Sequence, residues 1–235
     1  MEKLEVTLDK IEKLCNPVSI FLYGSRARND FLERSDFEIG VLMHEYNYIS
    51  RGKIASEING NNFNIYPFKY EDFLKGKIDT PFQKSIYLYE LVGAGKTLRG
   101  EKVLEKIKLP AITIVDLIQS IRFEIGYSLA SIMSQRNGDF KTASLEFYKS
   151  CLFGLRCLEI LELKKLAFTY EDIYNLSKKI NLGEYDDLVS TAHSLRLRGG
   201  NCEDKYIFQN ISFLNDFIES RLVERFKNSS DERLI

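Results

Sequence analysis

Tryptophan is absent from the 235 residues and histidine occurs only twice. The first absence excludes no function. The second, with Cys15, Cys151, Cys157 and Cys202 forming no CxxC pair, argues against both a zinc site and a disulfide framework, so the thiols are expected to be small apolar core groups. No run of eighteen apolar residues occurs, and the opening MEKLEVTLDK lacks the basic-then-apolar order of a secretory leader. The expectation is a cytoplasmic protein with no membrane partner. Excess positive charge is missing too: the formal net charge is -1, which excludes the broad basic footprint of a duplex-binding protein and leaves room only for a local patch.

What remains is a globular composition, 44% hydrophobic and 29% charged, in a chain long enough for two small domains. Up to residue 109 the pattern mixes short β-rich runs with short helices. LEVTLDKIEKLC has apolar residues at helical spacing; VSIFLYG, DFEIGVLM and NFNIYPF read as strands, the last with Pro67 at an edge or irregularity. Thr80-Pro81 signals a helix start, and that segment closes in a glycine-rich turn. From residue 110 the periodicity is helical: Ile114, Leu117, Ile118, Ile121, Ile125, Leu129 and Ile132 form one stripe, and further helices bring the expectation to a bundle of about five. The fold class is therefore α/β (α+β) over 1–109, followed by an all-α helical bundle over 110–235. The terminal KNSSDERLI is expected to fray.

The chemistry concentrates in residues 21–43. A strand that ends at Gly24-Ser25 and turns straight into a helix offers backbone N–H groups to an anion, with Arg26 or Arg28 placed to clamp its oxygens. About ten residues later, Asp36 and Glu38 stand two apart on a strand. Their side chains project together while Phe37, Ile39 and Val41 go to the packed side. Two adjacent carboxylates repel unless a cation lies between them, and magnesium prefers oxygen ligands together with water and phosphate. An isolated D-x-E would read as a turn cap and a solvated strand residue; placed after a phosphate-type turn, it reads as a site for a metal-bound nucleotide.

YGSRAR followed by SDFE resembles the G-S-x-x-[GR]…[ST]-D-x-[DE] signature of the polymerase-β-like nucleotidyltransferases, over about residues 20–43. FNIYPF stands where that superfamily has its third core strand, and GAGKTLRGEKV resembles the turn that ends its catalytic domain. The Asp-x-Glu pair and the following helical bundle are most similar to the kanamycin nucleotidyltransferase-like two-domain proteins. The resemblance implies that Gly24, Ser25, Arg26 and Arg28 bind nucleotide and that Asp36 and Glu38 hold Mg2+. It implies transfer of a nucleoside monophosphate, from ATP or another NTP, to a hydroxyl of a small aminoglycoside-like acceptor, or of RNA or protein, by a homodimer.

Many members of that superfamily carry a third carboxylate where this chain has Asn64, which cannot act as a base. By resemblance the base is Glu124 of the first bundle helix, and a lysine found there a turn later is replaced by Ser128. Taking about 100° per residue, Glu124 lies about 80° from the centre of its helix's apolar stripe, at the edge of the packed face. A solvated surface glutamate is the equally weighted alternative. GAGKT lacks the P-loop spacing and reads as a turn; RLRGG reads as a helix end; His193 has no second histidine near it in sequence. Ribonucleases paired with minimal nucleotidyltransferases share an Arg-x4-6-His pattern, and no histidine follows Arg196 or Arg198. The competing expectation is an antitoxin-like or catalytically degenerate module that binds nucleotide, RNA or protein.

Overall fold

A computed structural model describes residues 2–33, 35–45, 57–58, 62–78, 84–229 and 232–235, in two compact units, Met1–Pro110 and Ala111–Ile235. The expected helix start at Thr80-Pro81 lies outside the described residues.

The first unit is built on a mixed four-stranded sheet. Helix α1 (Glu2–Cys15) is followed by β1 (Ser19–Tyr23), α2 (Gly24–Arg28), β2 (Phe37–Met43), β3 (Phe63–Lys69), α3 (Tyr70–Leu74), α4 (Lys84–Gly93) and β4 (Lys96–Gly100). The spatial order is β3-β2-β1-β4: β2 and β3 run parallel, and β1 is antiparallel to both β2 and β4. Every residue of β1 is buried, as a strand with both faces covered requires. On one face Ile20, Leu22, Ile39, Val41 and Ile65 pack with Leu8 and Ile11 of α1. On the other, Phe21, Leu42 and Phe68 meet Phe73, Leu88 and Leu91. The face that carries Glu38 is thus packed further along β2, and Gly40 leaves the space that the Phe21 ring fills.

GAGKT, read as a turn, leads into β4, a strand that local propensity does not announce. Pairing with β1, through a bulge between Ile20 and Phe21, holds it in place. Arg99 of β4 reaches Glu5, Asp9 and Glu12 of α1 at 2.7, 2.8 and 2.6 Å. Those acids lie at helical spacing on one face, so a single guanidinium fastens the helix to the sheet edge.

The second unit contains α5 (Ile114–Arg136), α6 (Phe140–Leu163), α7 (Tyr170–Ser177), α8 (Asp186–Arg198) and a closing helical rod. That rod joins α9 (Asp204–Ser212), a π-helical stretch (Phe213–Glu219) and α10 (Ser220–Asn228). A capping box opens α5: the Thr113 hydroxyl accepts from the Asp116 N–H, and the Asp116 carboxylate accepts from the Thr113 N–H.

The apolar stripe expected along α5 does not run its full length. Ile114, Leu117 and Ile121 are buried, but Leu129 is 51% exposed, and the buried positions become Ser120, Glu124, Ser128 and Ser131. Small hydroxyls suit this face because each finds a partner: Ser131 donates to the Ala143 carbonyl at 2.7 Å, and Ser128 and Ser150 both accept from the Asn210 amide.

The expectation of a frayed C-terminus is corrected. Leu234 is buried, its N–H donates to Ile112 O at 2.8 Å, and Ile235 O accepts from the Ile112 N–H at 3.0 Å. Arg225 and Lys164 both grip the Glu232 carboxylate and hold it down to about 2. Ser230 and Asp231, within the same segment, lie outside the described residues.

Candidate active site

The candidate site forms where three strands present neighbouring residues in register: Tyr23 of β1 pairs with Glu38 of β2, which pairs with Asn64 of β3. The chain turns immediately after Tyr23. Gly24 has φ +69°, a conformation that L side chains rarely adopt, and a β-carbon there would run into the Glu38 carboxylate. The turn backbone and the acid are therefore packed against each other, which only glycine allows.

Behind Gly24, Ser25 and its neighbours form the short helix α2, ended by Asn29 in the left-handed region. Arg28 faces Asp30 at 3.4 Å, both side chains being nearly buried. Arg26 makes its contacts within the chain. Its Nε donates to Ser35 O at 2.9 Å and Asp36 O at 3.2 Å, Nη2 donates to Glu33 O at 3.4 Å, and the guanidinium stacks 4.1 Å from the Phe37 ring centroid. These contacts brace the segment that leads into β2.

Asp36, expected on the strand with Glu38, stands just before β2, and Asn64 adjoins both positions. The Asn64 amide donates to Oδ2 of Asp36, and Asn64 is the ladder partner of Glu38. On the opposite side of the strands the Phe37 and Phe63 rings stack at 4.9 Å and secure the register. Among the described residues no group of three or more His, Cys, Asp or Glu gathers to hold a metal. A pair of hard oxygen donors beside a turn fits magnesium, which fills the rest of its shell with water and phosphate.

Sequence reasoning did not single out the tyrosines on this face. Tyr66 and Tyr87 meet Tyr23 edge-on, with centroids at 6.2 and 6.3 Å. Burial, then Tyr87 and Glu38, push the Tyr23 phenol well above its ordinary value; burial also raises Tyr87. Both therefore stay protonated beside the acid. Tyr23 was findable, since it directly precedes the glycine turn; Tyr87 carries no local signal.

Glu124 belongs to the second unit. It is 5% exposed, which removes the solvated-surface alternative; burial, with a smaller contribution from Glu124, raises the Cys157 thiol on α6 to about 12. Ser128, at the place of the lysine, is fully buried and bonded to Asn210. His193 pairs with Glu171 at 2.9 Å and stacks on Tyr174, while Arg196 packs over Tyr170, so neither is held out as a ligand. No helix among the described residues is long and apolar enough to cross a membrane.

No curated protein matches the chain. Among solved structures, spectinomycin adenyltransferase AAD(9) from Enterococcus faecialis, determined with ATP and spectinomycin, is similar in fold. The TM-score is 0.62 at 18% identity, covering 95% of this chain and 99% of that one. The model of the family described as "nucleotidyltransferase domain" matches residues 2–136, more than half of the sequence and the whole of the strand, turn and carboxylate arrangement; the protein belongs to that family and is a transferase of the nucleotidyl class.

Proposed function

We propose that the protein transfers AMP from ATP to a hydroxyl of a small, aminoglycoside-like acceptor. The observation that carries this reading is the meeting of Glu38 with the Gly24 turn while Asn64 joins Asp36 to the same spot. The similar fold determined with ATP and spectinomycin supports the choice of donor and acceptor class.

In this reading Gly24 and Ser25 lie along the triphosphate, and Arg28, already fixed beside Asp30, adds positive charge. Asp36 and Glu38 would hold Mg2+, which when bound neutralises charge that develops on the phosphate oxygens. Tyr23 and Tyr87 keep their protons and back Glu38 with apolar bulk. The acceptor oxygen forms a bond to the α-phosphorus as the bond to pyrophosphate breaks, so positioning supplies much of the catalysis. Asn64 cannot accept the hydroxyl's proton, and Glu124 is assigned the role of base.

The test is transfer of label from α-labelled ATP, with Mg2+, to a panel of aminoglycosides, spectinomycin and tRNA. Label on a small acceptor, abolished by Asp36→Ala and by Glu38→Ala, is the expected result. A second reading, a module that binds nucleotide without turnover, draws on Asn64 in place of a carboxylate. Nucleotide binding with no transfer to any acceptor favours it.

A further inference from the structure

We propose that Tyr66 and Tyr87 form the wall against which the acceptor lies, and that this wall takes a saturated ring bearing ammonium groups, an aminocyclitol or an amino sugar. The inference rests on the nucleotidyl-transfer reading of this site and names the acceptor's contact within it.

The side of entry follows from the sheet. In the order β3-β2-β1, Glu38 stands between the turn that follows Tyr23 and Asn64 of β3. With the triphosphate along Gly24 and Ser25, pyrophosphate leaves on the β1 side. Attacking and leaving oxygens stand roughly in line across the phosphorus, so the acceptor hydroxyl comes in over β3. Asn64 has the first place there, and Tyr66, two residues on, projects from the same face of the strand.

Two rings converge at that place. Tyr66 and Tyr87 stand at 67° and 86° to the ring of Tyr23 and flank it. Tyr23 is buried, whereas Tyr66 and Tyr87 are half-buried at the margin of the core formed by Phe21, Phe68 and Leu88. Tyr23 is thus the foundation, and the other two present ring surface.

Charge selects the kind of ring. Burial raises the Tyr87 phenol, and the negative charges of Glu38 and of Glu90, one turn further along α4, add to the rise. Acids beside a π face attract a cation and reinforce the pull that the face itself exerts on an ammonium within about 6 Å. The C–H face of a saturated ring meets the same electron-rich surface. A planar nucleobase also stacks on aromatic rings, but it offers no cationic group to the two acids.

The experiment measures steady-state label transfer from α-labelled ATP to kanamycin, spectinomycin, fully N-acetylated kanamycin and tRNA. Wild type is compared with Tyr66→Leu, Tyr87→Leu, Tyr66→Phe and Tyr87→Phe, each checked for folding by its melting curve. Leucine keeps apolar bulk without a π face, so each leucine variant is expected to raise KM for the aminoglycosides about tenfold, with kcat and KM for ATP within about twofold. The phenylalanine variants keep the face and stay near wild type. Acetylation removes the charge with no substitution in the protein, and is expected to raise the wild-type KM by a similar factor. Leucine variants with wild-type KM for the aminoglycosides, phenylalanine variants as impaired as the leucine ones, or acetylated kanamycin used as well as kanamycin overturn the inference. Transfer to tRNA alone overturns it while nucleotidyl transfer stands; no transfer to any acceptor overturns both.

Discussion

The carboxylate of Glu38 lies where a β-carbon on Gly24 would have to be. Gly24 also has φ +69°, so a side chain at this position meets a backbone penalty and a collision together. Gly24→Ala is expected to cost about 1–3 kcal/mol in stability and to displace Glu38 from the turn. Denaturant melts measure the first effect. The second is a loss of label transfer of about a hundredfold or more, since misplacing one reacting group by about 1 Å has that consequence. A variant with wild-type transfer would show that the turn and the acid do not act together.

Arg26 braces the entry to β2 through three carbonyls and an aromatic face. Lysine provides a charge but not a planar fork, so Arg26→Lys is expected to behave almost like Arg26→Ala. Both should lower stability by about 1.5–3 kcal/mol, the scale of hydrogen bonds to a charged group. Nucleotide affinity should fall mainly through the displaced Asp36. A large loss of ATP affinity with an unchanged melting temperature would instead place the guanidinium on the phosphates.

What the sequence discloses here depends on how local the determining contact is. The glycine turn after Tyr23 and the strand that carries Glu38 are legible because turn chemistry and the two-residue period of a strand act within a few residues. Strand β4 is not, because KTLRG has weak strand character and is fixed by β1, some eighty residues earlier, and by three acids of α1. The stripe on α5 misleads after Ile121 for a related reason: apolar count favours Leu129, whereas hydroxyl partners on α6 and α9 favour Ser128 and Ser131. Arg26 is conspicuous in the motif, yet its backbone acceptors become visible only once the chain has folded back on itself.

The docked C-terminus yields a test of its own. Leu234 is buried, and its backbone N–H bonds to Ile112, more than a hundred residues away in the chain. Leu234→Ala is expected to destabilise the protein by about 2–5 kcal/mol, the usual range for a buried leucine truncated to alanine. Equilibrium urea unfolding measures this directly. Deletion of residues 232–235 should cost at least as much, because it also removes Glu232 from Arg225 and Lys164. A change within error of zero would mean that the tail makes no net contribution in solution.

Glu159 of α6 is fully buried, and neither carboxylate oxygen has a hydrogen-bond partner among the described residues. Burial raises it to about 9 against the opposing pull of Arg156, with Asp172 adding to the rise. In the unfolded chain a glutamate ionises near its ordinary value, about 4.3. Between those two values the folded state binds the extra proton, so stability falls as pH rises through that window and levels off above about 9. Glu159→Gln keeps the shape and never ionises. It should therefore differ little from wild type at pH 5 and melt higher at pH 8, by about 3 °C or more given the slope expected for a chain of this size. Wild type and variant with parallel stability curves from pH 5 to pH 9 would mean that Glu159 is ionised and paired in the native bundle, with Arg156 the charge that neutralises it.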